Sequence, residues 1–207
     1  EIIAPSAIAS TSNTANTANF DGLAPGTYTF RVTDTKGCSY TESYTIPPVV
    51  KIDVIGQLIS DVTCFNDTDG EALFTVSGIS TTYDYSVTGP ANFNANNQTN
   101  TTIPLTNLDD GVYTITVTDN GTNCTDTATV TVQAPTSQLT ISFVETQPSC
   151  TSDGSVILSA NGGWGSNTFG LTYPDGVTIV TNATGSFSAL SQIGLYNASV
   201  TDVNGCI

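Results

Sequence analysis

The stretch "GVYTITVTDNGTNC" covers residues 111–124, and near-copies of it stand on both sides along the chain. The first copy, "GTYTFRVTDTKGC", covers residues 26–38, and the third, "GLYNASVTDVNGC", covers residues 194–206. The tyrosines of the three copies are 85 and 83 residues apart. A period of this length in a chain of 207 residues indicates three copies of one small domain.

Each copy has the pattern of a β-strand followed by a tight turn. Tyr113, Ile115 and Val117 alternate with threonines, so they point to one face of a strand that is buried on that face only. The glycine two residues before the tyrosine permits a turn into the strand, and the Asp, Asn and Gly after it are typical of a hairpin turn. We expect the aspartates at the strand ends to cap the turn backbone: Asp34, Asp119 and Asp202.

The remainder of each copy predicts further short strands. About seven strands in roughly 85 residues match an immunoglobulin-like sandwich, with its tyrosine corner at the start of the sixth strand. We therefore predict an all-β fold with tandem immunoglobulin-like β-sandwich repeats in an elongated array. Proline-bearing joints suggest a first repeat at 1–48 of which only the C-terminal part is present, a complete second repeat at 49–135, and a third repeat at 136–207 that lacks its last strand. We expect this chain to be an internal piece of a longer protein.

The composition excludes two classes of partner. A formal net charge of −15 and a pI near 4.1 argue against nucleic acid, because the chain has few cations to replace the counterions of phosphate. The same charge is repelled by an anionic membrane surface, and no apolar run is long enough to span a bilayer. Five cysteines at recurring positions fit an oxidising extracellular compartment. We expect no nucleic acid, no membrane insertion and an extracellular, cell-surface location.

The second repeat also resembles a known family. Its segments "DVTCFNDTDGEALFTVSG" (61–78) and "LDDGVYTITVTDNGTNCTDTATVTV" (108–132) resemble the SprB-type repeat of giant cell-surface adhesins in Bacteroidota. The resemblance covers the second repeat fully, most of the third, and the tail of the first. The third repeat departs from the family pattern in "SCTSDG" (149–154), and the Gly-Gly pair of the pattern occurs only as Gly162 and Gly163.

The resemblance implies a function as well as a fold. It implies structural stalk repeats of a secreted adhesin that is exported by the type 9 route and used in gliding motility and surface attachment. The implied partners are neighbouring repeats of the same chain, external surfaces or polysaccharides, and the gliding and secretion machinery. The segment "DTA" at 126–128 resembles the O-glycosylation signal of Bacteroidota, which makes Thr127 a candidate glycan site.

Two other functions are alternatives to the stalk. Trp164 and Tyr173 are candidates for a sugar-stacking platform, so a glycan-binding module of a secreted surface protein or enzyme is the alternative. A single Trp beside glycines more often packs over the end of a sandwich. The chain has no histidine and no serine in a nucleophile elbow, so we predict that it is not an enzyme.

The cysteines allow two pairing schemes. Bridges within repeats would join Cys64 to Cys124 and Cys150 to Cys206, leaving Cys38 for a partner upstream. In an immunoglobulin-like strand order, however, the two turns of one repeat lie at opposite ends, roughly 30 Å apart. A disulfide needs Cα atoms within about 7 Å. End-to-end stacking would instead bring Cys64 of the second repeat to Cys206 of the third, and both schemes stay open at this point.

A calcium site is the remaining candidate. In "NDTDGE" (66–71), Asp67 and Asp69 place two carboxylates on one side of a turn that Gly70 can tighten. The spacing is short for a calcium loop, and further ligands are missing, so a solvated turn is the competing interpretation. No other cofactor or metal is predicted.

Overall fold

The computed structural model describes residues 1–10, 12–14 and 16–207, and this part of the chain forms strands and no helix. The prediction of an all-β chain is therefore confirmed. The strands form two compact units, Glu1–Lys51 and Ile52–Ile207, so the second and third repeats lie together in one unit. The described residues contain no helical segment with the length and apolar character that crossing a bilayer requires.

The first unit contains one three-stranded antiparallel sheet and a separate strand pair. Its strands are β1 (Ile2–Ala4), β2 (Ser12–Asn13), β3 (Ala18–Asn19), β4 (Gly26–Thr33) and β5 (Ser39–Ile46). The sheet has the order β1-β4-β5, and β2 pairs with β3. Ile2 and Tyr28 are buried, and Arg31 forms an ion pair with Glu1. Most of β5 is exposed.

The second repeat supplies seven strands to the second unit. They are β6 (Asp53–Ser60), β7 (Gly70–Ser77), β8 (Tyr83–Thr88), β9 (Phe93–Gln98), β10 (Thr102–Leu108), β11 (Gly111–Asp119) and β12 (Thr125–Val132). They form two antiparallel sheets with the orders β10-β7-β6 and β12-β11-β8-β9. One buried cluster contains Phe74 from the first sheet and Tyr83 and Tyr113 from the second, so the two sheets share a core.

The predicted alternation along β11 is confirmed. Tyr113, Ile115 and Val117 are fully buried, whereas Val112 on the opposite side is 53% exposed. The strand lies between β8 and β12, and its inward residues contribute to the core that both sheets share. Burial of three such side chains is a principal source of the stability of this repeat.

The third repeat has six strands in two smaller sheets. They are β13 (Thr140–Thr146), β14 (Gly154–Asn161), β15 (Thr168–Thr172), β16 (Ile179–Asn182), β17 (Ser186–Leu190) and β18 (Asn197–Thr201). The orders are β13-β14-β17 and β16-β15-β18, and all pairs are antiparallel. Leu158, Phe169, Leu171 and Val200 form the centre of its own buried cluster.

The tyrosine of each copied motif closes the turn that precedes its strand. The Tyr28 hydroxyl donates to the Ala24 carbonyl at 2.7 Å, and the Tyr113 hydroxyl donates to the Asp109 carbonyl at 3.2 Å. The Tyr196 hydroxyl donates in the same way to the carbonyl four residues upstream, at 3.1 Å. These three bonds have the arrangement of a tyrosine corner and confirm that part of the sequence prediction.

Removing the hydroxyl of the second corner tests its contribution. Tyr113→Phe keeps the buried ring and leaves the Asp109 carbonyl without its donor, so we expect the free energy of unfolding to fall by about 1 kcal/mol. Urea unfolding measures this difference. The matched control is Tyr85→Phe on the adjacent strand β8, where we expect a change below about 0.5 kcal/mol. Equal losses in the two variants would contradict a role for the corner.

Candidate functional site

A disulfide joins the second repeat to the third. Cys64, in the turn between β6 and β7, is bonded to Cys206, in the turn after β18, with their Cα atoms 5.7 Å apart. The two residues are 142 positions apart in the sequence. Cys206 is buried, and Cys64 packs against the buried cluster of the third repeat. The structure therefore has the between-repeat pairing.

The pairing within repeats is not formed, and the strand arrangement explains why. The amide of Val62 donates to the Gln133 carbonyl, and the amide of Val54 donates to the Asp126 carboxylate. The ends of β6 and β12 therefore lie together, as do their beginnings. Cys64 follows β6, whereas Cys124 precedes β12, so the eight residues of β12 separate them. At about 3.4 Å per residue this distance is far beyond the reach of a disulfide.

The other three cysteines are free thiols in the described part of the chain. Cys38 and Cys150 are exposed, and Cys124 is half-buried. The alternative of bridges within repeats is thus not formed, since Cys206 is bonded to Cys64. The expectation that Cys38, Cys124 and Cys150 are also bridged is wrong for this structure. Cys38 and Cys206 occupy equivalent turns, because in both turns the cysteine carbonyl accepts from the amide of the aspartate four residues earlier.

Trp164 makes the second connection between the two repeats. It lies in the turn between β14 and β15, and its indole Nε1–H is shared between the carbonyl oxygens of Val62 at 3.1 Å and Thr63 at 2.8 Å. The same short segment carries Cys64, and the sulfur of Cys206 lies 3.1 Å from the Thr63 carbonyl oxygen. We call residues 62–64, Trp164 and Cys206 the joint.

Asp202 positions Trp164 and Cys206, the two residues through which the third repeat contacts residues 62–64. Its carboxylate accepts the backbone N–H groups of Trp164 at 2.9 Å and of Asn204 and Cys206 at 3.0 Å each. Burial alone would raise the pKa of this carboxyl, but the hydrogen bonds from Trp164, Cys206 and Asn204 outweigh burial and hold the pKa below its usual value. The charged form of Asp202 therefore fixes Trp164 and Cys206 together.

A glycine permits the close approach that this arrangement requires. Gly163 has a φ of +63°, and a Cβ there would lie 2.7 Å from the Asp202 carboxylate and 3.1 Å from Leu139. A side chain at this position would push Trp164 away from Asp202. Gly163, the second residue of the Gly-Gly pair in the sequence, thus allows the joint to form.

Asp69 shapes the other side of the joint. Its carboxylate accepts the backbone N–H of Thr63 at 2.8 Å, and hydrogen bonds from Thr63 lower its pKa. The amide of Asp67 donates to the Cys64 carbonyl at 3.0 Å. The loop that suggested calcium therefore holds Thr63 and Cys64 in place for the third repeat.

These residues fit calcium poorly. Calcium takes six to eight oxygen ligands, and here one of the two carboxylate oxygens of Asp69 accepts the amide of Thr63. Within residues 1–10, 12–14 and 16–207, no three His, Cys, Asp or Glu side chains are grouped in a way that suits a metal. Calcium has no part in the function proposed below.

A cleft of about 520 Å³ lies beside the joint. It is lined on one side by the end of β12 and the linker, including Val132, Gln133 and Pro135, and on the other by Gly163 and Trp164. The amide of Gln133 donates to the Asp61 carboxylate at 2.7 Å, which ties the linker to the segment before residues 62–64. The linker between the repeats is thus held close to the joint.

The two aromatic residues considered as a sugar platform have separate roles. Trp164 is engaged with the carbonyls of residues 62 and 63, whereas Tyr173 packs edge-on against Tyr196 at a centroid distance of 5.1 Å. The interpretation of Trp164 as a residue that packs over a repeat end agrees with these contacts. Thr127, the candidate glycan site, is exposed on β12, and its glycosylation stays a prediction.

The capping role predicted for the strand-end aspartates is confirmed. Asp34 accepts the amides of Lys36 and Cys38, at 2.8 and 2.9 Å. Asp119 accepts the amide of Thr122 in its own turn at 2.8 Å, and Asp202 has the equivalent bonds described above. The sequence did not indicate a second partner for Asp119 and Asp202, which lies in an earlier turn between strands. For Asp119 that partner is Ser80, which donates both its amide and its hydroxyl.

Comparison with known proteins adds no family to this description. No protein-family model matches the chain, and no curated protein matches it. The interpretation of the joint therefore depends on its own geometry.

Replacing Asp119 tests the electrostatic part of this scheme. Hydrogen bonds from the Ser80 hydroxyl, the Ser80 amide and Thr122 hold the pKa of Asp119 well below its usual value near 3.8. Such a carboxyl stabilises the fold above its unfolded pKa, and the stabilisation is lost as the pH falls towards the folded pKa. We expect Asp119→Asn to destabilise the chain most at pH 7 and progressively less below about pH 4.

Urea unfolding of the chain and the variant across this pH range measures the difference. The matched control is Asp110→Asn, an exposed aspartate outside the hydrogen-bond network of Asp119. A destabilisation by Asp119→Asn that stays constant from pH 7 to pH 2 would contradict a charged role for this group.

Proposed function

We propose that the chain is a series of immunoglobulin-like sandwich repeats that forms part of the stalk of a secreted, SprB-type cell-surface adhesin. The observation that carries this proposal is the covalent bond from Cys64 of one repeat to Cys206 of the next. A bridge between repeats has little value to a catalytic or ligand-binding domain that acts alone. It is useful where force passes from one repeat to the next.

The bridge diverts a pulling force around the folded residues. Tension applied at the two ends of the second unit enters at Ile52, reaches Cys64, and crosses the sulfurs to Cys206 near the other end. Residues 65–205 lie inside the closed loop, so the covalent path bypasses them once β6 has separated from β7. Their strands cannot be extended by this tension while the bridge is intact.

The strand chemistry supports the same proposal. Three tyrosine corners at equivalent positions agree with repeats of one sandwich type, since this motif recurs at the sixth strand of immunoglobulin-like folds. The carboxylates at the joint are engaged by backbone N–H groups, as expected of structural caps rather than of a general acid and base. This arrangement supports the proposal of a structural, non-enzymatic role.

The surface chemistry fits a location outside the cell. A disulfide persists in an oxidising environment, and a net charge of −15 keeps neighbouring filaments apart. The proposed partners are neighbouring repeats, polysaccharides or other external surfaces, and the gliding and type 9 secretion machinery. Thr127 is the proposed site of an O-linked glycan.

Single-molecule pulling tests the load-bearing role of the bridge. Unfolding the second unit by its ends releases only the residues outside the loop when Cys64 and Cys206 are bonded. In Cys206→Ser the 142-residue loop is released as well, which adds roughly 480 Å of contour length at about 3.4 Å per residue. The matched control is Cys38→Ser, which alters an equivalent turn without a bridge. Equal contour lengths for the unaltered chain and Cys206→Ser would refute the load path.

Labelling of intact cells tests the proposed location. Antibodies raised against this chain should bind unpermeabilised cells of the organism that encodes it, and external protease should remove the signal. Staining that requires permeabilisation would overturn the adhesin proposal. Specific binding of the isolated chain on a glycan array would favour the glycan-binding alternative over a passive stalk.

A further inference from the structure

The third repeat has an exposed apolar strand at the edge of one sheet. Strand β16 (Ile179–Asn182) stands at one end of the order β16-β15-β18, so within the described residues one of its edges has no neighbouring strand. Ile179 is 64% exposed and Val180 is 40% exposed, and Val177, just before the strand, is 82% exposed. An apolar edge of this kind is open to pairing with another chain.

The equivalent edge of the second repeat is protected. There β9 is the end strand, and its register with β8 shifts between Tyr83 and Tyr85. At this shift Asn97 has a φ of +55°, and its amide donates to the Asp84 carboxylate at 2.8 Å. A bulge of this kind discourages edge pairing. The register between β15 and β16 is regular, and β16 contains neither proline nor a charged residue.

Two residues of β16 direct their backbone N–H and C=O groups to the open edge. The Tyr173 amide donates to the Thr178 carbonyl at 2.9 Å, so the backbone groups of Thr178 face β15. In an antiparallel pair these groups alternate between the two edges along a strand. The backbone groups of Val180 therefore also face β15, whereas those of Ile179 and Thr181 face outwards.

Asp175 fixes the chain just before this edge. Its carboxylate accepts the amides of Val177 and Thr178 at 2.9 and 2.8 Å, and also the Thr178 hydroxyl at 2.7 Å. The amide of Val177 is thus already bonded within the chain. The groups that the open edge offers to a partner are those of Ile179 and Thr181.

The sheet that contains β16 carries no charge, although the chain has a formal net charge of −15. Strands β15, β16 and β18 contain no Asp, Glu, Lys or Arg, and none lies anywhere in residues 176–201. Two copies of so acidic a chain repel each other. This repulsion is weakest where the facing surfaces are uncharged, so this sheet is a place where a second copy can approach.

We propose that two copies of this chain pair antiparallel through β16, about a two-fold axis at Val180. In this register Ile179 of each copy lies opposite Thr181 of the other, and their outward backbone groups form about four hydrogen bonds. The two Val180 side chains meet at the axis, where each covers the exposed part of the other. A register centred on Ile179 would instead need the Val177 amide, which Asp175 already holds.

The inference depends on the geometry of β16 and not on the proposed adhesin function. In a stalk, this pairing joins two neighbouring filaments side by side at the third repeat, while the acidic remainder of each chain keeps them apart elsewhere. Failure of the pairing would leave the stalk proposal and its pulling experiment unaffected.

Sedimentation equilibrium of the 207-residue chain tests the pairing. The exposed thiols of Cys38 and Cys150 are first alkylated without reduction, so that they cannot cross-link two copies. We expect a monomer–dimer equilibrium at chain concentrations up to about 1 mM, and a tighter dimer as added salt screens the repulsion between copies. Monomer alone at this concentration in high salt would overturn the proposal.

Two substitutions at the open edge should weaken the dimer. Ile179→Glu brings a carboxylate into the pairing, and we expect the dissociation constant to rise at least about tenfold. The matched control is Ile55→Glu, because Ile55 is 62% exposed on β6 and the substitution adds the same charge. Equal weakening by these two substitutions would contradict pairing through β16.

Thr181→Pro removes an outward N–H and leaves the bonds to β15 in place. We expect it to weaken the dimer at least about tenfold as well, since each dimer loses two hydrogen bonds. Its control is Thr181→Val, which keeps the N–H and should keep the dimer. Urea unfolding reports whether each variant is folded, and the exposed site of Ile179→Glu keeps the test decisive if the proline variant is not.

Hydrogen exchange followed by NMR locates the contact. As the chain concentration rises, the amides of Ile179 and Thr181 should gain protection, because they point to the open edge. The amides of residues 197–201 in β18 should not change. Protection of residues 197–201 without protection of Ile179 and Thr181 would assign the dimer to another strand and make the proposal wrong.

Discussion

The carboxylate of Asp202 holds the joint together. It gathers backbone N–H groups from two turns, one carrying Trp164 and the other carrying Cys206. Because one carboxylate holds both turns, the Trp164 indole contacts the carbonyls of residues 62 and 63, and the Cys206 sulfur bonds to the neighbouring Cys64. Without this anchor the two turns would be independent loops, and ordering each of them would cost conformational entropy before any contact formed. The hydrogen bonds of Asp202 therefore hold Trp164 and Cys206 in the positions from which the indole and the disulfide contact the second repeat.

The same aspartate recurs with different partners, and the differences determine what each repeat end can do. Asp119 binds Ser80, a small residue that keeps the turn closed on its own repeat. Asp202 binds the backbone of Trp164, whose long side chain reaches across to the second repeat. The same aspartate hydrogen bonding thus closes a turn on its own repeat where the partner is Ser80, and connects two repeats where the partner is Trp164.

Much of the fold could be predicted because it depends on local patterns. The alternation along β11, the hydroxyl bond of Tyr113 and the cap of Asp202 all involve residues within a few positions of one another. The hydrogen-bond acceptors of the Trp164 indole could not be predicted, since they lie about a hundred positions away. The structural partner of Asp69 could not be predicted for a related reason. Its sequence shows an acidic turn, but only the fold shows that the carboxylate accepts the amide of Thr63, six positions away.

The disulfide lies between the second and third repeats, where hydrogen bonds and packing are sparser than inside the second repeat. Inside the second repeat, ladders of hydrogen bonds and a buried core already hold the strands, so a further bridge there would add little resistance to separation. At the joint, the connections besides the linker include one shared indole N–H and the packing of Cys64 on the next core. A chain with a net charge of −15 also repels itself, and polar contacts of this kind are worth only about 1 kcal/mol each. A covalent bond between Cys64 and Cys206 therefore strengthens a junction that these polar contacts alone would hold only weakly.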